Sequence, residues 1–184
     1  MLRAAHSSDL AIMQRSTSFK RIGINGFGRI GRTVARVLQQ TPGYEVVVIN
    51  DLSDATTLGH LLKYDSVHGR FPGEIETSHN EIFIDDRSVR VTNYKHPDEI
   101  LWSDYNVDCV IESTGQFKTT EEVSGHLKGG APWVVLSVPP ADDNMPTVVL
   151  GINEHVLSGT ERMISNASCT TNGAAPMVGL IDEL

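Results

Sequence analysis

Two rhythms of apolar and polar residues alternate along the chain. Ile22 and Ile24, Tyr44–Ile49, Val107–Glu112 and Val134–Val138 are short apolar runs that read as buried strands. Between them lie stretches with helical spacing: Val34, Ala35, Val37 and Leu38, then Leu58, Leu61 and Leu62 within Asp54–Lys63. A third helix is predicted over Thr119–Leu127, capped by Thr119 or Thr120 and stopped by Gly129-Gly130. Tyr64–Gly69 reads as a loop. Ile75, Ile82, Phe83, Ile84, Val89 and Val91 alternate around turn residues at His79-Asn80 and Asp85-Asp86, which predicts a short antiparallel insertion hung on the main sheet. A short helical turn starts at His96-Pro97, and Val148–Ile152 and Met163–Ile164 read as two more strands. Strands separated by helices predict an α/β fold, a doubly wound and mostly parallel sheet with ligands at the carboxyl ends of its strands.

The stretch Lys20–Arg32 gives that sheet a chemistry. Gly26, Gly28 and Gly31 fit the spacing G-x-G-x-x-G between a strand and a helix. The first glycine permits the turn, the second lets a pyrophosphate approach the backbone, and the third lets helix and strand pack closely. Free N–H groups and partial positive charge at the helix start then face the phosphates. The next apolar run ends in Asn50-Asp51, so the Asp51 carboxylate stands where an adenosine ribose is bonded in Rossmann-type folds. Asp51 would repel a ribose 2′-phosphate, which favours NAD over NADP. Ser113, Thr114, Gly115 and Ser137 also close apolar runs, and the fold is expected to gather them along one crevice. Taken singly, each serine or threonine is also a common strand terminator or helix cap.

Composition narrows the class of molecule. Among 184 residues, 40% are hydrophobic, enough for a real core, so this is not a disordered chain. A net charge of −8 argues against general attraction to nucleic acid or an anionic membrane, and no apolar run approaches the length of a membrane span. Cys109 and Cys169 are too few for a disulfide framework and lie in no metal-binding spacing, so no metal site is expected and a reducing, cytoplasmic compartment is the simpler home. Residues 1–18 differ in composition from the rest of the chain, with Arg3, Arg15, several hydroxyl residues and one acid, Asp9. They fit a disordered extension, an upstream start with Met13 as a later one, or an organelle transit peptide.

The second chemical signal is Ile164–Asn172. A short strand runs into small and hydroxyl residues, and Ala174, Ala175, Met177, Val178, Leu180 and Ile181 come next at helical spacing. Cys169 thus stands at or just before a helix N-terminus, where the helix field favours thiolate and N–H groups can stabilise an oxyanion. Cys109, inside Val107–Ile111, is expected in the core.

The motifs I-N-G-F-G-R-I-G-R, N-D-L, L-L-K-Y-D-S-V-H-G-R-F, E-S-T-G-Q-F, H-L-K-G-G-A and S-N-A-S-C-T-T-N closely resemble phosphorylating glyceraldehyde-3-phosphate dehydrogenases. The resemblance runs from about Lys20 to the end. It implies an NAD-binding domain over 19–168, with 169–184 the start of a second, catalytic domain. It further implies that Arg29 and Ile30 hold the cofactor at the turn, Asp51 the ribose, Lys95 the neighbourhood of the adenine and Ser137 that of the nicotinamide. Ser113, Thr114, Gly115 and Phe117 would line the same crevice. Cys169 would attack the aldehyde of glyceraldehyde 3-phosphate, and inorganic phosphate would cleave the resulting thioester to 1,3-bisphosphoglycerate. Ser168 and Thr170, flanking the nucleophile, would contact substrate or phosphate. A second cysteine common in the family is Gly173 here, and Pro139-Pro140 replaces the usual A-P. The family's catalytic histidine, its phosphate-binding arginine and threonine, and most contacts of its homotetramer lie beyond Leu184. None of the seven histidines stands in that histidine's place, and each reads as a surface or packing residue. The expectation is a fragment that binds nucleotide weakly and does not turn over. A non-catalytic NAD-binding module and an erythrose-4-phosphate dehydrogenase are the alternative readings.

Overall fold

A computed structural model describes residues 19–182. The extension or transit peptide read at residues 1–18 lies outside the described residues. The chain folds in the order β1 (Lys20–Asn25), α1 (Arg29–Gln39), β2 (Tyr44–Asn50), α2 (Ala55–Lys63), β3 (Tyr64–Asp65), β4 (Gly69–Arg70), β5 (Ile75–Ser78), β6 (Glu81–Ile84) and β7 (Arg87–Thr92). Two 3₁₀ turns, Pro97–Glu99 and Trp102–Tyr105, lead to β8 (Cys109–Glu112), α3 (Thr120–Lys128), β9 (Trp133–Leu136), β10 (Met163–Ser165) and α4 (Cys169–Asp182).

The main sheet has the order β10-β9-β8-β1-β2-β7-β6-β5, parallel from β10 to β7 and antiparallel from β7 to β5. The chain builds outward from β1 to β2 and β7, then returns to the other side of β1 with β8. That reversal is the topological switch point of a doubly wound Rossmann-type sheet, where such folds bind their ligands. Each face carries a core. Ile22, Ile24 and Ile49 pack with Ala35 of α1 and Leu58 and Leu62 of α2, whereas Val48, Val110 and Val134 pack with Trp102 and with Val123 of α3. Alternate residues of one strand, such as Val48 and Ile49, serve opposite cores, as a sheet covered on both faces requires.

Local chemistry sets the helix starts. Asp54 caps α2 by accepting from Thr57 N–H, and Thr119 caps α3 in a reciprocal box with Glu122. Gly31 has no room for a side chain, since a Cβ there would lie 2.2 Å from the Gly26 carbonyl oxygen.

Two expectations are corrected. Tyr64–Gly69 is not only a loop. Asp65 Oδ1 accepts from Val67 N–H and His68 N–H, closing a tight turn between β3 and β4. The antiparallel insertion is attached to the main sheet as expected, through β7, which pairs in parallel with β2 while the ladder continues outward through β6 and β5. Val148–Ile152 is not a strand. Beside it the backbone makes one bridge, Thr147 to Ser165, and then turns, with Gly151 at φ +85° and the Asn153 side chain bonding Val149 N–H and Thr147 C=O. Val148 and Val149 are buried all the same, so their apolarity reflects packing rather than ladder pairing.

Among the described residues, one part of the sheet has no covering layer. On the α1 side of β8 and β9, Cys109, Ile111, Trp133 and Val135 line an open apolar depression with Val34 and Leu38. No residue of α4 is buried. No helix among the described residues is long and apolar enough to cross a membrane. Substituting Gly31→Ala forces α1 off β1 and is expected to cost about 1–3 kcal/mol of stability, read as a lower urea midpoint with unchanged slope.

Candidate functional site

The end of β1 turns sharply at Gly26, whose φ of +87° suits glycine and whose missing Cβ would meet Thr114 N at 2.7 Å. Gly26 N–H donates to Asn50 C=O, and Ser113 Oγ donates to Gly26 C=O. The ends of β1, β2 and β8 are thereby tied around one turn. Gly28 is the N-cap of α1 and supplies no side-chain cap, and a Cβ added there would meet nothing within 4 Å. No acid stands in the first turn of α1 itself, so no side chain of the helix competes for its first N–H groups. This is a cradle for an anion.

Asp51 is fastened to that cradle. Its Oδ2 accepts from Phe27 N–H at 2.7 Å and its Oδ1 from Ser53 N–H at 2.9 Å. Gly26, Gly28, Asp51, Lys95, Ser113, Thr114 and Phe117 all line one cavity of about 270 Å³ at the switch point. The same walls include Asn25, Asn50, Leu52, Tyr94 and Gln116, which the motif reading did not single out. Asn25 and Asn50 carry a visible signal, being polar residues at the last position of otherwise apolar strands. Arg29, Gly31 and Gly115 do not line this cavity.

Ile30 and Ser137 line a second depression of about 440 Å³ with Asn166, Cys169 and Asn172, floored by Ile111 and Val135. The single crevice expected from the strand ends is therefore two depressions, with Gly28 opening on one and Ile30 on the other. Cys169 is the first residue of α4 and is exposed. Before it, buried Ala167 takes a left-handed conformation, φ +58°, to turn the chain from β10 into α4. Ser168, rather than Thr170, caps this helix: its Oγ accepts from Thr171 N–H at 2.9 Å and lies 2.9 Å from Thr170 Oγ1. Asn172 Nδ2 donates to the carbonyl oxygens of Asn166 and Ser168 and holds the turn shut.

Cys109 differs in kind, although it is half-buried at the open apolar depression rather than enclosed in the core as expected. Burial, reinforced by the Asp108 carboxylate, pushes its thiol up to about 11 from the ordinary 9.0. His126, read from sequence as a surface or packing residue, is fully buried and hydrogen-bonded to Glu112 and Trp102.

A glycine cradle at the switch point of a parallel sheet, with an acid closing the second strand, defines a dinucleotide-binding domain of the dehydrogenase type. A family profile described as glyceraldehyde 3-phosphate dehydrogenase, NAD binding domain, matches residues 20–120, and the chain belongs to this family. Its cofactor is NAD. The chain is 47% identical over 165 residues to a glyceraldehyde-3-phosphate dehydrogenase of Thermotoga maritima, covering 89% of this chain and 49% of that one. It is 45% identical over 163 residues to the enzyme of Clostridium acetobutylicum, covering 89% of this chain and 48% of that one. A cytosolic relative from Leishmania mexicana is 45% identical over 163 residues, covering 89% and 49%. The chain thus spans about half the length of the curated relatives it matches.

Iodoacetamide at pH 8 is expected to modify Cys169 in the folded chain well before the half-buried Cys109, whose rate rises on denaturation, as peptide mass spectrometry would report. For Cys109 the folded state holds the thiol proton more tightly than the unfolded chain does. Its contribution to stability is therefore full below pH 9 and declines as the pH rises towards 11.

Proposed function

We propose that this chain carries the NAD cradle and the thiol nucleophile of a phosphorylating glyceraldehyde-3-phosphate dehydrogenase. The overall reaction takes glyceraldehyde 3-phosphate, NAD and inorganic phosphate to 1,3-bisphosphoglycerate and NADH. The reading rests above all on Cys169, an exposed thiol at the first turn of α4, sharing a depression with Ser137 and with Ile30 of the cradle helix.

Each group of residues has its own task. Gly26, Gly28, Arg29, Ile30 and Gly31 form the phosphate turn, and Asp51 accepts from a ribose hydroxyl while excluding a 2′-phosphate. Lys95 and Phe117 flank the adenosine side, Ser113, Thr114 and Gly115 form the wall from β8, and Ser137 stands on the nicotinamide side. When bound, NAD supplies the hydride acceptor. Cys169 Sγ forms a bond to the aldehyde carbon, giving a thiohemiacetal, and after loss of hydride to the cofactor and of the hydroxyl proton to solvent it holds the acyl group as a thioester. A phosphate oxygen then attacks the acyl carbon and Sγ leaves as thiolate. Ser168 Oγ takes Thr171 N–H, which leaves the N–H groups of Cys169 and Thr170 as donors for the oxyanion. Ser168 and Thr170 hydroxyls face the same chemistry as substrate contacts. In the full-length protein we propose a cytoplasmic homotetramer.

Among the described residues, no histidine lines the Cys169 depression. That observation favours a second reading for this stretch by itself, nucleotide binding without efficient turnover, since a positioned base is worth about 10²–10⁴-fold. Calorimetric titration is expected to give one NAD per chain, with Asp51→Ala lowering NAD affinity about tenfold or more and narrowing the preference over NADP. With glyceraldehyde 3-phosphate and phosphate, NADH formation by the 184-residue chain is expected at least about a hundredfold below that of the full-length Thermotoga maritima relative. Equal rates would overturn the second reading. Unchanged NAD affinity in Asp51→Ala would overturn the assignment of the ribose site.

A further inference from the structure

Beneath the cradle lies a carboxylate that the chemistry above does not use. Glu112, the last residue of β8, is 0% exposed. A buried carboxylate is costly unless its oxygens are fully bonded, and here both are. Oε1 accepts from Thr114 N–H at 2.8 Å and from Thr114 Oγ1–H. Oε2 accepts from Asn25 Nδ2–H and from His126, whose Nε2 is 2.9 Å away.

The direction of these bonds is fixed from the far end. The indole N–H of Trp102 can only donate, and it lies 3.0 Å from His126 Nδ1. Nδ1 therefore accepts, the ring proton sits on Nε2, and that proton points at Glu112. Four donors, Thr114 N–H, Thr114 Oγ1–H, Asn25 Nδ2–H and His126 Nε2–H, converge on the Glu112 carboxylate. Two of its partners frame the nucleotide turn: Asn25 directly precedes Gly26, and Thr114 N is the atom a Cβ at Gly26 would strike at 2.7 Å. Asn25 Oδ1 in turn accepts from Asn50 Nδ2–H at 2.8 Å, which carries the connection to the strand that ends beside Asp51.

We propose that Glu112, held in orientation by His126, is a positioning residue of the nucleotide site, setting the spacing between the β1 and β8 walls of the cradle. The proposal rests on reading the switch-point cavity as the NAD site. Glu112 touches no ligand itself. Its effect is to hold Thr114 and Asn25 in the binding geometry before the nucleotide arrives.

The test is NAD affinity of the chain, measured by calorimetry at a temperature where melting curves show each variant folded. Glu112→Gln keeps the shape but sets an amide NH₂ against converging donors, and His126 cannot answer by changing tautomer while Trp102 occupies Nδ1. Its NAD affinity is expected to fall about tenfold or more, as loss of a charge-assisted bond implies. His126→Phe is expected to show a loss of similar size. His126→Gln, whose amide oxygen and nitrogen replace the ring acceptor and donor, is expected to stay within about threefold of the unsubstituted chain, well short of that loss. A purely structural role lowers melting temperatures without separating the two His126 variants in affinity. Equal affinities for His126→Phe and His126→Gln, or an unchanged affinity in Glu112→Gln, overturn the proposal. If the unsubstituted chain fails to bind NAD, the cavity assignment falls and the proposal with it. If it binds and the variants match it, the proposal alone falls.

Discussion

The fold turns on the approach of α1 to β1 at Gly31 and Gly26. A side chain at Gly31 would sit 2.2 Å from the Gly26 carbonyl oxygen, so the helix reaches this depth only because nothing projects from it there. At that depth its unbonded N–H groups stand over the carboxyl ends of β1, β2 and β8. A chain of net charge −8 thereby presents a local site for an anion, built on peptide dipoles with Lys95 on the same walls. Asp51 completes the arrangement by binding Phe27 N–H, tying the acid that reads the ribose to the turn that reads the phosphates.

Elements whose signals are local were legible in the sequence. The central strands were plain because burial on both faces leaves continuous apolar runs, as in Val107–Glu112. The start of α3 was plain because Thr119 and Glu122 bond each other within one turn. What escaped depends on distant partners. Val148 and Val149 carry the composition of a strand, but beyond Thr147 the Asn153 side chain bends the backbone away from β10. That β7 would pair in parallel with β2 depends on how the chain doubles back, which alternation alone does not encode. His126 looked like any polar residue on a helix, and its burial is set by Trp102 and Glu112, far from it in sequence.

The candidate site was legible as a roster and not as a shape. Gly26, Gly28, Asp51, Lys95, Ser113, Thr114 and Phe117 share one cavity, while Ser137 and Cys169 share another with Ile30. Motifs name residues at strand ends, yet whether those ends open on one hollow or two depends on where the first turn of α1 stands. The two cysteines make the same point about context. Cys109 is held as a thiol by the apolar face around it, and Cys169 meets solvent at a helix start.

The exposure of α4 carries a consequence for motion. No side chain of that helix is buried, and Pro176 interrupts its backbone bonding partway along. Backbone amides there are open to deuterium through small local fluctuations, whereas those of β1 and β8, flanked on both sides by other strands, are released only when the whole sheet comes apart. The sulfur thus sits where the edge strand β10 passes into an exposed helix, two strands away from the protected centre of the sheet. Whatever stiffens α4 sets how long Cys169 dwells in an aligned pose, and a rigid nucleotide cradle next door does not substitute for it.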